Sequence, residues 1–257
     1  MAPNASTLSS DLIPTTHDVH VIRTVVKEFT ALPFVQQRIQ RNLTNSTVSF
    51  SKDVFWKAML DCLLSSCRRV GRQQFGEQKA FSLNLHQVRT SGQEIILERL
   101  MERGVSRFPV RVARMAGQNF SSLEAGGWKE VEHWHTVLAA QRRRNPQTSD
   151  FVAERDAARF VDLNFAGFGP KQSRNLWQML GLTRFEIPID RRVCRWINLH
   201  LSVGVTPEEL LLSDSYERLL DFLQRACLMA DNVPPCVLDA VVFSLGAPEL
   251  KRKRYRH

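Results

Sequence analysis

The 257-residue sequence contains no long hydrophobic run. Its longest apolar stretches, such as residues 236–243, are short and interrupted, so none offers the ~20 apolar residues that a membrane-spanning helix needs. The first fifteen residues lack the basic region and the following apolar stretch that are typical of a secretory signal. We therefore expect an intracellular protein without a membrane partner.

Clustered cysteines are also missing. The five cysteines are Cys62, Cys67, Cys194, Cys227 and Cys236. No pair has Cys-x2-Cys spacing, so zinc and iron–sulfur sites are not expected. His133 and His135 flank Trp134, but residues two apart point to different faces of a helix, which favours ordinary core or surface histidines. No Ser–His–Asp constellation is evident, and we predict no cofactor.

The charge is strongly one-sided. The formal net charge is +9 and the sequence pI is about 9.8. Hydrophobic residues make up 43% of the chain, which is typical of a folded globular protein. A basic balance favours a polyanionic partner, above all nucleic acid, because neutralisation of phosphates supplies most non-specific affinity. A basic protein that is merely soluble remains the alternative.

Helical periodicity dominates the chain, and only a short pair of strands before residue 55 is conceivable. The predicted class is all-α. We predict a flexible N-terminal tail over residues 1–16, a helical domain over 17–246 and a basic C-terminal tail over 247–257. The C-terminal tail could contact DNA, direct nuclear import or be solvated. Residues 142–146 form either a solvated turn, which we favour, or a phosphate-facing one.

A helix–hairpin–helix is predicted at about residues 151–181. Residues 150–164 have helical spacing, with Val161 and Leu163 among the positions expected to be buried. Gly167, Gly169 and the proline that follows interrupt this helix, and a second helix runs from Lys171. Such glycines let the main chain approach a phosphate, which the helix N-terminus then binds. A tight turn between two core helices is the alternative. A further helix start is predicted over residues 206–209, which read Thr-Pro-Glu-Glu.

Lys171 and Asp190 are the candidate reactive side chains. Burial beside other cations would lower the pKa of Lys171 and free its amine as a nucleophile. Asp190 precedes a helix that it is expected to cap, and its carboxylate can stabilise positive charge that builds on a sugar ring. Taken singly, a surface lysine and a purely structural cap are the simpler interpretations.

Residues 165–171, Phe-Ala-Gly-Phe-Gly-Pro-Lys, and residues 187–190, Ile-Pro-Ile-Asp, together resemble the signature of the helix–hairpin–helix DNA glycosylase superfamily. The interval between lysine and aspartate is similar to that of the bifunctional members. Within the superfamily the chain resembles the 8-oxoguanine DNA glycosylase/AP lyases, nearest the compact group typical of archaea and some bacteria. The resemblance spans about residues 50–246 and is specific over 163–196.

The resemblance implies a two-lobed helical fold with the active site between the lobes. It implies that Lys171 attacks the sugar and forms a Schiff base, and that Asp190 stabilises the oxocarbenium-like transition state. The implied partner is double-stranded DNA with an oxidised base, bound by a monomer that flips the base out. The alternatives are a glycosylase for a different damaged base and a non-catalytic DNA-binding protein.

Further positions are carried over from the same resemblance. It assigns DNA contacts to Gly167, Gly169, Gln172, Arg191, Arg192, Cys67, Arg68, Arg72 and Arg111. It assigns base recognition to Phe243, Asp239 and Asn175, and ligation of a monovalent or similar cation to the main-chain carbonyls of Leu163, Phe165 and Phe168. A core phenylalanine at 243, a surface aspartate at 239 and solvated arginines at 68 and 72 are the simpler alternatives. Cys67 departs from the asparagine common in one branch.

Overall fold

The computed structural model describes residues 12–45, 48–65, 83–104, 106–143 and 151–246. The α-helices within these ranges are α1 (Thr16–Phe29), α2 (Pro33–Ile39), α3 (Lys52–Ser65), α4 (Leu85–Ser91), α5 (Glu94–Arg103), α6 (Pro109–Ser122), α7 (Trp128–Arg143), α8 (Val152–Asn164), α9 (Pro170–Met179), α10 (Arg191–His200), α11 (Ser213–Met229) and α12 (Pro235–Leu245). No β-strand forms within the described ranges, so the all-α prediction is confirmed. The strands considered before residue 55 are absent from the described part of that region.

One hydrophobic core joins the two ends of the chain. It contains Ile22 of α1, Val35 of α2, Ile197 of α10, Leu220 of α11 and Val241 of α12, all of them fully buried. We call this unit the first lobe. Helix α2 packs directly on α12, which closes the lobe although the two helices lie about two hundred residues apart.

A second core belongs to the middle of the chain. It runs from Phe55 and Trp56 on α3 to Leu176 and Trp177 on α9, and it ends at Leu182. We call this unit, built from α3 to α9, the second lobe. Trp177 satisfies its ring N–H by donating to the Ala157 carbonyl of α8 at 2.8 Å, which fixes the two helices that flank the hairpin.

The chain therefore leaves the first lobe after α2, builds the second lobe and returns through residues 183–190. Lys171 lies at the start of α9 in the second lobe, whereas Asp190 lies at the start of α10 in the first. The two-lobed arrangement predicted from the sequence is confirmed. The two candidate reactive residues belong to different lobes, so their relative position depends on how the lobes are joined.

Several local predictions need correction. Leu163 is 84% exposed, because its place in the last turn of α8 points away from the core. Thr206 and Glu209 form the predicted reciprocal capping hydrogen bonds, but only a single 3₁₀ turn follows them. The helix itself begins later, at Ser213. Arg142 is buried, donating to the carbonyls of Gly181 and Arg41, so it belongs to neither predicted kind of turn.

The two histidines point to different faces of α7, as predicted. His135 is buried and packs edge-on against Phe50, and burial lowers its pKa, whereas His133 is exposed. No group of metal-ligating side chains occurs within the described ranges. Across the same ranges, no helix combines the length and apolar character needed to cross a membrane. Helix α1 begins at Thr16, and the C-terminal tail over 247–257 lies outside the described residues.

Candidate active site

The hairpin between α8 and α9 rests on the second lobe. Gly167 has φ +81°, and a Cβ atom there would come within 2.5 Å of Met115 Sδ and 2.8 Å of Leu63 Cδ2. Asn119 of α6 holds the neighbouring residue, accepting from the Ala166 N–H at 2.6 Å and donating to the Ala166 carbonyl at 3.0 Å. Both the backbone conformation and the packing therefore require glycine at position 167.

Gly169 is different, because a Cβ atom there would meet no protein atom within 4 Å. It caps α9, whose first residue is Pro170. The N–H groups of Lys171 and Gln172 in the first turn have no intrahelical acceptor and point out of the helix end, where they can bind an anion. The Gln172 side chain is buried and donates to Ser65 Oγ at 2.9 Å, so its backbone is the part that faces outward.

Lys171 is only partly exposed. Burial lowers the pKa of its amine below the ordinary 10.5, and the nearby Arg192 lowers it further, against the opposing charge of Asp190. Among the described residues, none accepts a hydrogen bond from Nζ or forms an ion pair with it. The amine is thus placed close to Asp190 without being bonded to it, a state suited to a nucleophile.

Asp190 caps α10, as the sequence predicts. One carboxylate oxygen accepts from the N–H groups of Arg192 at 2.8 Å and Val193 at 3.1 Å. The other accepts from the Arg192 guanidinium, Nε at 2.9 Å and Nη2 at 2.6 Å. Burial raises the pKa of Asp190, but these bonds and the charge of Arg192 outweigh it and hold the pKa below 3.8. The carboxylate is therefore ionised at neutral pH.

The ring of Phe243 on α12 has two close neighbours. The ring of Phe34 stacks on the Phe243 ring with a centroid separation of 4.8 Å. The Arg192 guanidinium lies over the Phe243 ring, 4.0 Å from its centroid. The Arg192 side chain is 45% exposed, whereas Phe34 packs against the first core. A planar group that takes the place of Arg192 over Phe243 must displace this partly exposed side chain.

Asp239 is neither at the helix surface nor directed to solvent. It is 4% exposed and accepts from Arg38 Nη1 of α2 at 2.7 Å. Burial raises the pKa of Asp239, and Arg38 opposes that rise. Arg38 in turn lies over the Phe34 ring at 5.6 Å. The alternative of a surface aspartate is wrong, and the role of Asp239 in base recognition remains a prediction.

Asn175 lies one helical turn after Lys171 on α9. Its amide contacts two sulfur atoms, Cys62 Sγ at 3.3 Å and Met179 Sδ at 3.6 Å. Burial raises the pKa of Cys62 to about 12, and the charge of Lys171 opposes this, so the thiol is neutral at ordinary pH. These contacts place Asn175 on the same side of α9 as the candidate nucleophile.

The other predicted positions are distributed as follows. Arg111 and Arg191 are exposed, while Phe165 and Phe168 are buried below the hairpin. The Phe165 carbonyl accepts the Phe168 N–H at 3.3 Å, and a carbonyl oxygen has a second lone pair that suits a hard cation. Cation ligation by Leu163, Phe165 and Phe168 stays a prediction. Cys67, Arg68 and Arg72 lie outside the described residues.

Three residues of this region were not anticipated from the sequence, namely Phe34, Arg38 and Asn119. Arg38 and its partner Asp239 are 201 positions apart, and Asn119 is 47 positions from Ala166. Local patterns carry no information about such pairs. The only available signal was the proline before Phe34, which marks the start of a short helix.

Comparison with known proteins gives one informative likeness. No family model matches the chain, and no curated protein sequence does. Among solved structures, it is similar to the crystal structure of Methanocaldococcus jannaschii 8-oxoguanine glycosylase/lyase in complex with 15mer DNA containing 8-oxoguanine. The likeness covers 88% of this chain and 96% of that chain, with a TM-score of 0.57 and 15% sequence identity. Taken with the two lobes and the hairpin, it shows that this chain has the helical fold of that archaeal protein.

Proposed function

We propose that this protein is a DNA glycosylase with AP lyase activity that removes 8-oxoguanine from duplex DNA. The observation that carries the proposal is the pair of Lys171 and Asp190 at the junction of the lobes. The pKa of the amine is lowered by burial, and the carboxylate is kept ionised by four N–H donors. The likeness in fold to an archaeal 8-oxoguanine glycosylase/lyase supports the assignment.

Base excision uses both side chains. As the N-glycosidic bond breaks, the departing base takes the bonding electrons and positive charge builds on the sugar, where the ionised Asp190 stabilises it. The neutral amine of Lys171 then forms a bond to the anomeric carbon. The two groups thus perform different tasks because their surroundings move their pKa values in the directions that each task requires.

Strand cleavage follows from the covalent bond. Once the sugar ring opens, the bond between Lys171 and the anomeric carbon is a protonated Schiff base, which acidifies the neighbouring C–H group. Loss of that proton and departure of the 3′ phosphate complete a β-elimination. Hydrolysis of the remaining Schiff base returns the free amine of Lys171.

The hairpin is proposed to hold the DNA backbone. The outward N–H groups at the start of α9 and the positive end of the helix offer a site for one phosphate, and the open space at Gly169 lets that phosphate come close. Such a contact positions DNA without reading its sequence. If the hairpin carbonyls of Leu163, Phe165 and Phe168 bind a cation, it would contribute a structural charge near that phosphate. The proposed active form is a monomer on duplex DNA.

The base pocket is proposed to lie between Asn175 and Phe243. A flipped purine that stacks on Phe243 would replace the guanidinium of Arg192, and that side chain is exposed enough to move. Arg192, released in this way, would face the DNA backbone together with Arg191. The contribution of Asp239 would come from behind the pocket, through its ion pair with Arg38.

The decisive test is covalent trapping. Wild-type protein incubated with an 8-oxoguanine duplex and borohydride should give a cross-linked species whose modified peptide contains Lys171. Lys171→Gln should abolish the cross-link, whereas Lys57→Gln, at an exposed position on α3, should leave it unchanged. Trapping and cleavage by Lys171→Gln at the wild-type rate would refute the mechanism.

A panel of duplexes, each with one damaged base, tests the substrate. We expect the fastest base release from 8-oxoguanine. Equal or faster release of another oxidised or alkylated base would replace the substrate but keep the enzyme class. Tight binding to DNA without release of any base would instead identify a non-catalytic DNA-binding protein.

A further inference from the structure

We infer that Arg174 and Tyr216 act as positioning residues, which set the placement of Lys171 relative to Asp190 across the junction of the lobes. The inference rests on the proposed function, since it concerns the same two reactive side chains. Neither residue belongs to the hairpin or to the cap of α10. Both are fully buried, so neither can touch DNA itself.

Arg174 connects the start of α9 to the segment that returns to the first lobe. Its Nη1 donates to the Pro170 carbonyl at 2.9 Å, and Pro170 is the residue before Lys171. Its Nε donates to Glu186 Oε2 at 2.7 Å, four residues before Asp190. One planar guanidinium therefore ties the nucleophile's helix to the segment that carries the carboxylate.

Tyr216 completes this connection from α11. The Arg174 guanidinium lies over its ring, 4.6 Å from the centroid. The phenol oxygen accepts from the Ile189 N–H at 2.6 Å and donates to the Ile187 carbonyl at 3.1 Å. Since Ile189 is the residue before Asp190, this side chain fixes the backbone from which the carboxylate projects.

Glu186 makes the connection rigid. It is fully buried, and its second oxygen accepts from Arg155 at 3.0 Å and from Gln224 at 3.1 Å. Arg155 belongs to α8 and Gln224 to α11, so the two lobes meet at this carboxylate. A buried carboxylate held by several donors is strongly ordered, because the loss of any of these hydrogen bonds would leave buried charge without a partner.

The result is a continuous path from Lys171 to Asp190 through buried groups. It runs through Pro170, Arg174 and Tyr216 to Ile189. Because Lys171 has no bonding partner among the described residues, its distance to the carboxylate depends on this path rather than on a direct contact. A displacement of about 1 Å at reacting groups can cost about 100-fold in rate.

Tyr216→Phe is the sharpest variant, because it keeps the ring under Arg174 and removes only the phenol oxygen. The matched control is Trp56→Phe, which removes a buried 2.9 Å hydrogen bond to the Leu83 carbonyl within the second lobe, away from the path. Arg174→Lys is a second variant, since an ammonium group keeps the charge but cannot reproduce the planar fork. Far-ultraviolet circular dichroism and melting confirm that each variant is folded.

For Tyr216→Phe we expect duplex affinity within about twofold of wild type and single-turnover trapping that is ~10- to 100-fold slower. The pH dependence of trapping should also move, because the surroundings of Lys171 change. Arg174→Lys should show the same two changes, and Trp56→Phe should show neither. The inference would be overturned if Tyr216→Phe trapped at the wild-type rate with an unchanged pH profile. It would also be overturned if Trp56→Phe lost as much of the trapping rate as Tyr216→Phe.

A second measurement separates this inference from the proposed function. The pKa of Lys171, read by NMR from a ¹³C-methylated amine and assigned by its absence in Lys171→Gln, needs no substrate. It should change in Tyr216→Phe and stay constant in Trp56→Phe, and an unchanged pKa in both would overturn the positioning role. A wild-type protein that traps no damaged duplex would overturn the proposed function, while the NMR comparison still decides whether the path places Lys171.

Discussion

Lys171 and Asp190 are held in opposite ways. On the first lobe, four N–H donors bond Asp190 directly and fix the orientation of its carboxylate. On the second lobe, no described residue bonds the amine of Lys171, whose position follows from the packing of the hairpin and of α9. The charged form is favoured at Asp190 and disfavoured at Lys171. A stabiliser of charge gains from being bonded, whereas a nucleophile must keep its lone pair available.

Replacing Asp190 by asparagine tests whether the negative charge of the bonded residue is needed. Asparagine caps a helix as well as aspartate does, so the melting temperature should change little. Excision should fall on the order of 100-fold, because the negative charge opposite the sugar is lost. Single-turnover excision and thermal melting are the measurements. Asp190→Ala, which also removes the cap, should cost about 1 kcal/mol of stability in addition, and an active Asp190→Asn would rule out the electrostatic role.

The unbonded side is tested by pH. Because burial lowers the pKa of Lys171, the amine loses its proton at a pH below 10.5. As the pH is raised toward this pKa, trapping should increase by about tenfold per pH unit. The unfolded chain binds this proton more tightly than the folded protein does at every pH below 10.5, so Lys171→Gln should raise the melting temperature at neutral pH. A flat profile between about pH 6 and 10 would contradict the requirement for a neutral amine.

The two glycines of the hairpin separate packing from ligand binding on the Lys171 side. Gly167→Ala should lower the free energy of unfolding by about 1–3 kcal/mol, because it forces a strained backbone against Met115 and Leu63. Gly169→Ala should leave stability unchanged and weaken duplex binding by about tenfold, since the added methyl group would stand where the phosphate approaches. Denaturant unfolding and fluorescence anisotropy distinguish the two. Equal effects of both variants on stability would contradict the proposal that Gly169 serves phosphate binding rather than packing.

The smallest expected effect concerns Arg192. Its removal in Arg192→Ala should raise the pKa of Asp190, because the hydrogen bonds and charge that offset burial are lost. Excision at about pH 5 should fall about two- to fivefold, in line with the ~0.2–1 kcal/mol of an exposed ion pair. The rate at neutral pH should fall less, because Asp190 stays ionised there and only the loss of the effect of Arg192 on the pKa of Lys171 remains. Arg195 is an exposed residue of the same helix, α10, and Arg195→Ala serves as the control. This variant should leave the excision rate at about pH 5 unchanged.

The local chemistry of the site was predictable from the sequence. Two glycines and a proline can end one helix and begin the next, and an aspartate before a basic amphipathic segment is a typical cap. The hairpin and the cap at Asp190 are therefore present where they were predicted. The same local reasoning failed at Thr206, where the capping bonds form but the residues after them do not continue a helix.

The arrangement around these residues was not predictable in the same way. The contacts of Phe243 with Phe34 and Arg192 were not anticipated. A surface position was the alternative considered for Asp239, yet this residue is buried and Arg38 of α2 pairs with it. Each of these contacts joins segments that are distant in sequence, and their formation depends on the three-dimensional packing of whole helices.

The division of the first lobe between both ends of the chain has a consequence for synthesis. The second lobe is continuous from α3 to α9, so all of its residues leave the ribosome while the first lobe still lacks α10 to α12. Folding during translation proceeds by such complete units. Lys171 is therefore placed on a completed lobe first, and Asp190 joins it only when α12 packs on α2. The distance between Lys171 and Asp190 is therefore set only once the last helix of the chain has packed.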